Sequence, residues 1–230
     1  MRMIVVFQKN LALRHIGHLD LMRAMQRALR RSNLPIRYSN GFNPHIQLSF
    51  ASPLSVGVVG IREIMDVPVE GEYDPDQFAA TLQKALPAAL QIMQVRAVAD
   101  DYPTLMALVS GSRLRIQLDA GPDADAIADA FHRFMALKEV QTMRKTKSGE
   151  KMTDIRPFVM QADIHQTDDG YQIRCEIANR ADGSLKPSVL MRALCEMAKL
   201  ESVPYIAYRD TILAKRKDGT AIPLEAYEDG

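Results

Sequence analysis

The sequence predicts an α+β protein of two tandem ferredoxin-like (βαββαβ) lobes, each an antiparallel sheet covered on one face by two helices. Over residues 1–102 the apolar period switches between two and 3.6 residues in the order strand, helix, two strands, helix, strand. The order restarts after Asp100-Asp101-Tyr102-Pro103 and fills residues 103–216 with one extra hairpin. A chain of 230 residues, 47% of them apolar, has material for two cores. Residues 217–230 are polar and read as a frayed tail.

Each element has its own local cause. Residues 3–7 form an Ile/Val-rich apolar run, the mark of a buried strand. From residue 18 to 32, Leu21, Met22, Met25, Ala28 and Leu29 share one side of a helical wheel, and Arg23, Arg27, Arg30 and Arg31 share the other. Asn33 and Pro35 end that helix, because proline lacks the amide donor a helix needs and biases Leu34 away from helical angles. Residues 35–39 then read as a strand, residues 39–45 as a turn-rich segment around Asn40-Gly41 and Asn43-Pro44, and residues 46–50 and 63–69 as strands. Asp74 and Pro75 open a second helix as cap and first residue, over residues 76–90, and residues 91–98 alternate as a strand does. The second lobe repeats this with a strand at 113–118, a helix at 123–137 and a strand at 140–146. A segment at 158–164 is joined through Asp168-Asp169-Gly170 to 171–177, followed by a helix at 187–200 and a strand at 204–215.

Composition narrows the functional classes. A quarter of the residues are charged and the net charge is +1, which excludes a disordered tail or a globally basic coat. The average hides a polarity. Residues 1–50 carry eight bases (Arg2, Lys9, Arg14, Arg23, Arg27, Arg30, Arg31, Arg37) against the single acid Asp20, whereas residues 51–138 carry twelve acids against seven bases. One end is therefore suited to a polyanion. Cys175 and Cys195 match neither a disulfide framework nor a paired-thiolate metal spacing, and reduced structural thiols are expected. The apolar run before Lys9 is too short for a signal peptide and no stretch reaches the length of a membrane span, so a cytoplasmic protein is expected. No phosphate-cradling glycine loop, nucleophile elbow, HExxH or dinucleotide fingerprint occurs, and no cofactor is expected.

Three groups of residues carry possible chemistry. The guanidinium groups of Arg23, Arg27, Arg30 and Arg31, with Arg14 just before the helix, are spaced to meet successive phosphates; a merely solvated face is the other reading. Tyr38, Asn40, Phe42, Asn43 and His45 place aromatic rings, amides and an imidazole in one loop, the means by which unpaired bases are stacked and read. Phe42 is equally compatible with a hydrophobic plug. Arg144, Lys145, Lys147, Lys151 and Arg156 form a second basic ribbon, which either extends the same surface or keeps an edge strand from aggregating. His15, His18, Asp20 and His45 are the candidate acid–base set should the fold bring them together, with His18 alternatively a helix-cap residue. The His15/His18 spacing matches no recognised zinc motif, and no metal is expected.

The string Arg14-His-Ile-Gly-His-Leu-Asp-Leu-Met-Arg23, then Arg27-Ala-Leu-Arg30-Arg31, then Gly41-Phe-Asn-Pro-His45 through Leu48-Ser-Phe50 resembles the radical-SAM-associated (radical SAM-linked) protein family, a bacterial domain of unknown function. The resemblance is strongest over residues 1–70 and thins later to Asp154-Ile-Arg-Pro157 and Lys186-Pro-Ser-Val-Leu-Met-Arg-Ala-Leu194. It implies a partner, a radical S-adenosylmethionine enzyme on a separate chain. Without a CxxxCxxC motif this chain does not hold such an enzyme's iron–sulfur cluster. Resemblance and charge together lead to the expectation of an accessory RNA-binding protein acting with that enzyme in RNA modification or processing. The alternatives are an RNA-processing enzyme using His15, His18 and His45, and a module that docks on the radical enzyme without RNA.

Overall fold

The computed structural model describes residues 1–146, 149–180 and 183–228. The chain is mixed α+β with mostly antiparallel strand pairing and five helices among the described residues. It divides into two units, residues 1–109 with 209–230, and residues 110–208. The first unit contains β1 (Arg2–Lys9), α1 (His18–Arg31), β2 (Ser49–Phe50), β3 (Val58–Pro68), α2 (Pro75–Ala85), β4 (Leu90–Val98) and α3 (Leu105–Leu108). The second holds nearly all of β5 (Val109–Asp119), then α4 (Pro122–Ala136), β6 (Gln141–Thr146), β7 (Gly149–Asp154), β8 (Val159–Thr167), β9 (Gly170–Arg180), β10 (Gly183–Ser184) and α5 (Pro187–Ala198). β11 (Tyr205–Lys215) starts in the second unit and from Arg209 belongs to the first, as does β12 (Ala221–Pro223).

In the first unit the strand order is β11, β3, β1, β4, with β2 on β3 and β12 on β11. β1 is antiparallel to both neighbours, Val5 lying opposite Met65 and Val95. Its apolar run is continuous because both of its faces are buried. Met3, Val5 and Phe7 pack with Leu21, Met25 and Phe78 of the two long helices, while Ile4 and Val6 pack with Leu105, Ile212 and Leu224. The expected polar tail is thus corrected: Leu224, in a short 3-10 turn after β12, is buried and helps to cover the sheet face away from α1 and α2. The unit boundary also falls after Val109 and not at residue 102, because α3 contributes Leu105 to that same face.

α1 follows its sequence pattern. Leu21, Met25, Ala28 and Leu29 are buried, Asp20 sits in the first turn and Arg30 and Arg31 in the last, the order the helix dipole favours. Ser32 is the C-cap and Asn33 adopts φ 53°, the left-handed conformation asparagine tolerates after a helix. The strand expected at 35–39 is reduced to two isolated bridges, Ile36 to Val69 and Tyr38 to Ile46. Proline at 35 removes one donor and the turn residues from Ser39 onward end the pairing. α2 stops at Ala85 instead of residue 90, ahead of Pro87, while Asp74 caps it as expected by accepting from the Gln77 amide at 2.8 Å.

In the second unit β9 lies between β5 and β8, antiparallel to both, with Ile173 opposite Ile116 and Ile164. α4 buries Ile127, Phe131 and Phe134, and α5 buries Leu190, Met191 and Leu194. β6 and β7 form a separate two-stranded ribbon. Burial pushes the Cys175 thiol up to about 12 and raises Cys195 as well. Thiolate is the reactive species, so native protein at pH 8 is expected to leave both cysteines unmodified by a disulfide reagent, and denaturant to release both. Fast labelling of either thiol in the native state contradicts the burial.

Candidate nucleic-acid interface

The basic N-terminal end is smaller in space than in sequence. Arg2 is buried in an ion pair with Asp66, its Nε donating to Oδ2 at 3.0 Å. Lys9 is 1% exposed, and its ammonium donates to the carbonyls of Arg14 at 3.4 Å and Ile16 at 3.2 Å. Desolvation lowers its pKa, partly opposed by Glu63. Arg37 donates to Asp100 at 2.8 Å, a contact that also holds the Asp100 carboxyl below the usual range. These three bases belong to internal pairing, not to an outward field.

The helix arginines behave differently. Arg23, Arg27, Arg30 and Arg31 are all exposed on α1. Arg23 pairs with Asp20 at 3.2 Å, one turn away on the same helix, a solvated contact of small energy. Arg31 donates to the Ala85 carbonyl at 2.6 Å, at the C-terminal end of α2. Among the described residues no carboxylate pairs with Arg27, Arg30 or Arg31, and none from the acidic middle segment reaches this face. A shallow cleft of about 410 Å³ with Leu86 and Pro87 in its wall has Arg27 and Arg31 at its edge. Arg14 is half-buried and donates to the Leu11 carbonyl at 3.4 Å.

The loop after α1 lies beside the same helix. Ser39 Oγ and His45 Nδ1 are hydrogen-bonded at 2.7 Å, and the Ser39 amide donates to the His45 carbonyl at 2.8 Å, closing the loop at its base. Asn40, Phe42, Asn43 and His45 are exposed at its tip and Tyr38 at its root. Phe42 is fully exposed, so it is no plug for the core. His45 shares a cleft of about 390 Å³ with Met22 and Gln26 of α1 and with Gln47, Leu48 and Ser49. Gln26 on the flank of α1 and Gln47 before β2 carry no local sequence signal for this cleft.

The acid–base set is not assembled. His18 sets its ring edge-on to Phe50, centroids 5.3 Å apart, Asp20 serves Arg23, and His45 serves Ser39. His15 is exposed in the bend before α1. Among the described residues no hydrogen bond links these four, and no group of three His, Cys, Asp or Glu is placed to hold a metal ion. The N-cap of α1 is Gly17, not His18.

The second basic ribbon is rearranged as well. Lys147 and the side chain of Lys145 lie outside the described residues. Lys151 is exposed on β7. Arg156 turns inward, donating to the Val159 carbonyl at 2.8 Å and lying 5.9 Å from the Phe134 ring, and its Nε is buried without a hydrogen-bond partner.

A buried charge cluster escaped the sequence reading. Glu63 and Arg209 form a two-pronged pair, Nε to Oε1 at 2.8 Å, and Arg209 also donates to Ser52 Oγ and the Pro53 carbonyl, both at 3.2 Å. Gly60 makes room for it, because a Cβ there would meet Glu63 Cγ at 2.4 Å. With Lys9 bound to the Arg14 and Ile16 carbonyls, the bend that leads into α1 is tied to charged groups in the interior.

The profile of the family described as "Uncharacterized protein conserved in bacteria (DUF2344)" matches residues 2–187. The chain belongs to this family. The match spans α1, its loop and the β6–β7 ribbon, so both basic surfaces are part of the family's domain. None of the curated proteins matches the chain. Among solved structures it is similar to the crystal structure of an unknown protein from Galdieria sulphuraria, 11% identical, with 90% of this chain and 96% of that one covered and a TM-score of 0.25. No helix among the described residues is long and apolar enough to cross a membrane.

Proposed function

We propose that this member of the DUF2344 family is an RNA-binding accessory protein, whose two units are ferredoxin-like lobes and whose α1 face presents a structured RNA to a radical S-adenosylmethionine enzyme in the cytoplasm. The observation that carries the reading is the outward row of Arg27, Arg30 and Arg31, with no carboxylate pairing among the described residues and with the exposed Phe42 and His45 loop beside the same helix. Guanidinium groups supply phosphate contacts without sequence preference, and exposed rings and amides supply contacts to unpaired bases. The radical-enzyme partner rests on the resemblance of the residue 14–50 block alone.

Filter binding of total tRNA and ribosomal RNA across a salt series tests the reading. Four phosphate contacts to single-stranded RNA give a log–log slope of about −3, and Arg27→Ala with Arg30→Ala is expected to reduce its magnitude by roughly 1.4. Absence of binding, or a slope indifferent to the two substitutions, removes the proposal. Co-purification with a radical enzyme after nuclease treatment, with no RNA affinity in the isolated chain, favours docking on protein instead; Leu19 and Val56, exposed near the start of α1, then become the surface to vary.

A further inference from the structure

We infer that the cleft between α1 and the segment leading into β2 binds one unpaired base of an RNA chain, and that this base is adenine. The inference rests on the reading of α1 as an RNA-binding face and names what that face selects. Met22 of α1, Leu48 and Pro68 give the cleft of about 390 Å³ its apolar lining. Met22 and Leu48 also pack against the buried core of the first unit, which anchors those walls. Among the described residues no lysine or arginine lines the cleft. Its one carboxylate, Asp66, is already engaged, with Arg2 Nε donating to Oδ1 at 3.2 Å and to Oδ2 at 3.0 Å. Apolar walls with a few neutral polar groups suit a flat ring with a polar edge better than a phosphate.

The neutral polar groups are mainly amides. Gln26 and Gln47 each bring a carboxamide and Ser49 a hydroxyl, and among the described residues none of these three side chains has a hydrogen-bond partner. His45 completes the lining on the loop side. Its Nδ1 is held by Ser39 Oγ at 2.7 Å, so the ring is positioned before any ligand arrives. A carboxamide presents a donor and an acceptor side by side, the complement of adenine's amino group and an adjacent ring nitrogen. Adenine is the one standard base whose amino group has an acceptor nitrogen on both sides. It alone can engage two carboxamides at once, through its Watson–Crick and Hoogsteen edges, and both edges are open in an unpaired nucleotide. Arg30 stands four residues after Gln26 on α1, the next position along the same strip of the helix, where a guanidinium can meet the phosphate beside that base. Phe42, fully exposed in the loop, offers a ring to a neighbouring base.

Fluorescence anisotropy of the full chain with labelled oligouridylates of one length tests this, the central nucleotide being uridine, adenosine, cytidine or guanosine. Length and charge stay constant, so differences in affinity report the base alone. The adenosine oligomer is expected to bind at least about tenfold more tightly than the other three. Gln26→Ala and Gln47→Ala should each reduce that preference by roughly fivefold or more. Neither should change the salt slope or the ligand-free Tm, because neither amide gives up a protein partner. Arg27→Ala with Arg30→Ala should instead weaken all four oligomers together and flatten the slope. Equal affinity for the four, a preference for another base, or an adenosine preference that survives in both glutamine variants overturns the inference. Where such binding keeps its salt slope, the arginine reading of α1 stands. Failure of every oligomer to bind also overturns the inference, and total tRNA in the same buffer then shows whether the arginine reading falls with it.

Discussion

Glu63→Ala is expected to destabilise the first unit by about 3–5 kcal/mol, the cost of removing one partner from a buried ion pair. The loss is large because the substitution strands two cations, Arg209 and Lys9, in the interior of the fold where Glu63 is their shared anion. For a chain of this length it corresponds to a fall in Tm of roughly 6–20 °C, readable by circular dichroism and by the urea midpoint. Replacing the pair as a unit, Glu63→Leu with Arg209→Met, should recover much of the loss, since well-packed apolar residues often substitute for a buried pair without penalty. A single substitution costing under about 1 kcal/mol contradicts the placement of Glu63 among those cations.

Phe50→Ala is expected to cost about 3–5 kcal/mol and to loosen the start of α1. Phe50 lies between two rings, with centroids 5.8 Å from Phe7 in the core and 5.3 Å from His18 at the first turn of the helix. Truncation opens a cavity beside Phe7 and removes the edge-on support of the imidazole at once. Phe50→Leu should lose less than half as much, because most of the volume is kept. Hydrogen exchange of the first-turn amides of α1 distinguishes this account from a uniform loss: they should gain exchange ahead of the β1 amides in Phe50→Ala. If His18→Ala reproduces neither the loosening nor any stability loss, His18 is not the structural ring described.

Much of this architecture was legible in the letters. The period of Leu21, Met25 and Leu29 located α1 to within a residue, Asp74 and Pro75 located the start of α2, and Asp168-Asp169-Gly170 located the hairpin between β8 and β9. The failures share a cause. The strand expected at 35–39 dissolved into two bridges because extended propensity does not supply a neighbour with matching donors and acceptors. The polar end of the chain reads as a tail because its five apolar residues are scattered among polar ones, yet Leu224 finds a sheet face to cover. His15 and His18 are close in sequence, yet the structure sets His18 against Phe50 and His45 against Ser39 and leaves His15 exposed.

The amino-acid order by itself determined the four long helices, the cap of α2, most strands and the row of arginines on α1, because each of these follows from backbone geometry over a few adjacent residues. Only the tertiary structure decided which cations face outward. Arg2 finds Asp66 across 64 residues and Arg209 finds Glu63 across 146, separations at which no local pattern carries information. The same rule brings Arg180 of β9 to the ring of Phe158, while Arg156, two residues from that ring in the chain, lies over Phe134, because strand register and not proximity along the chain sets which groups meet.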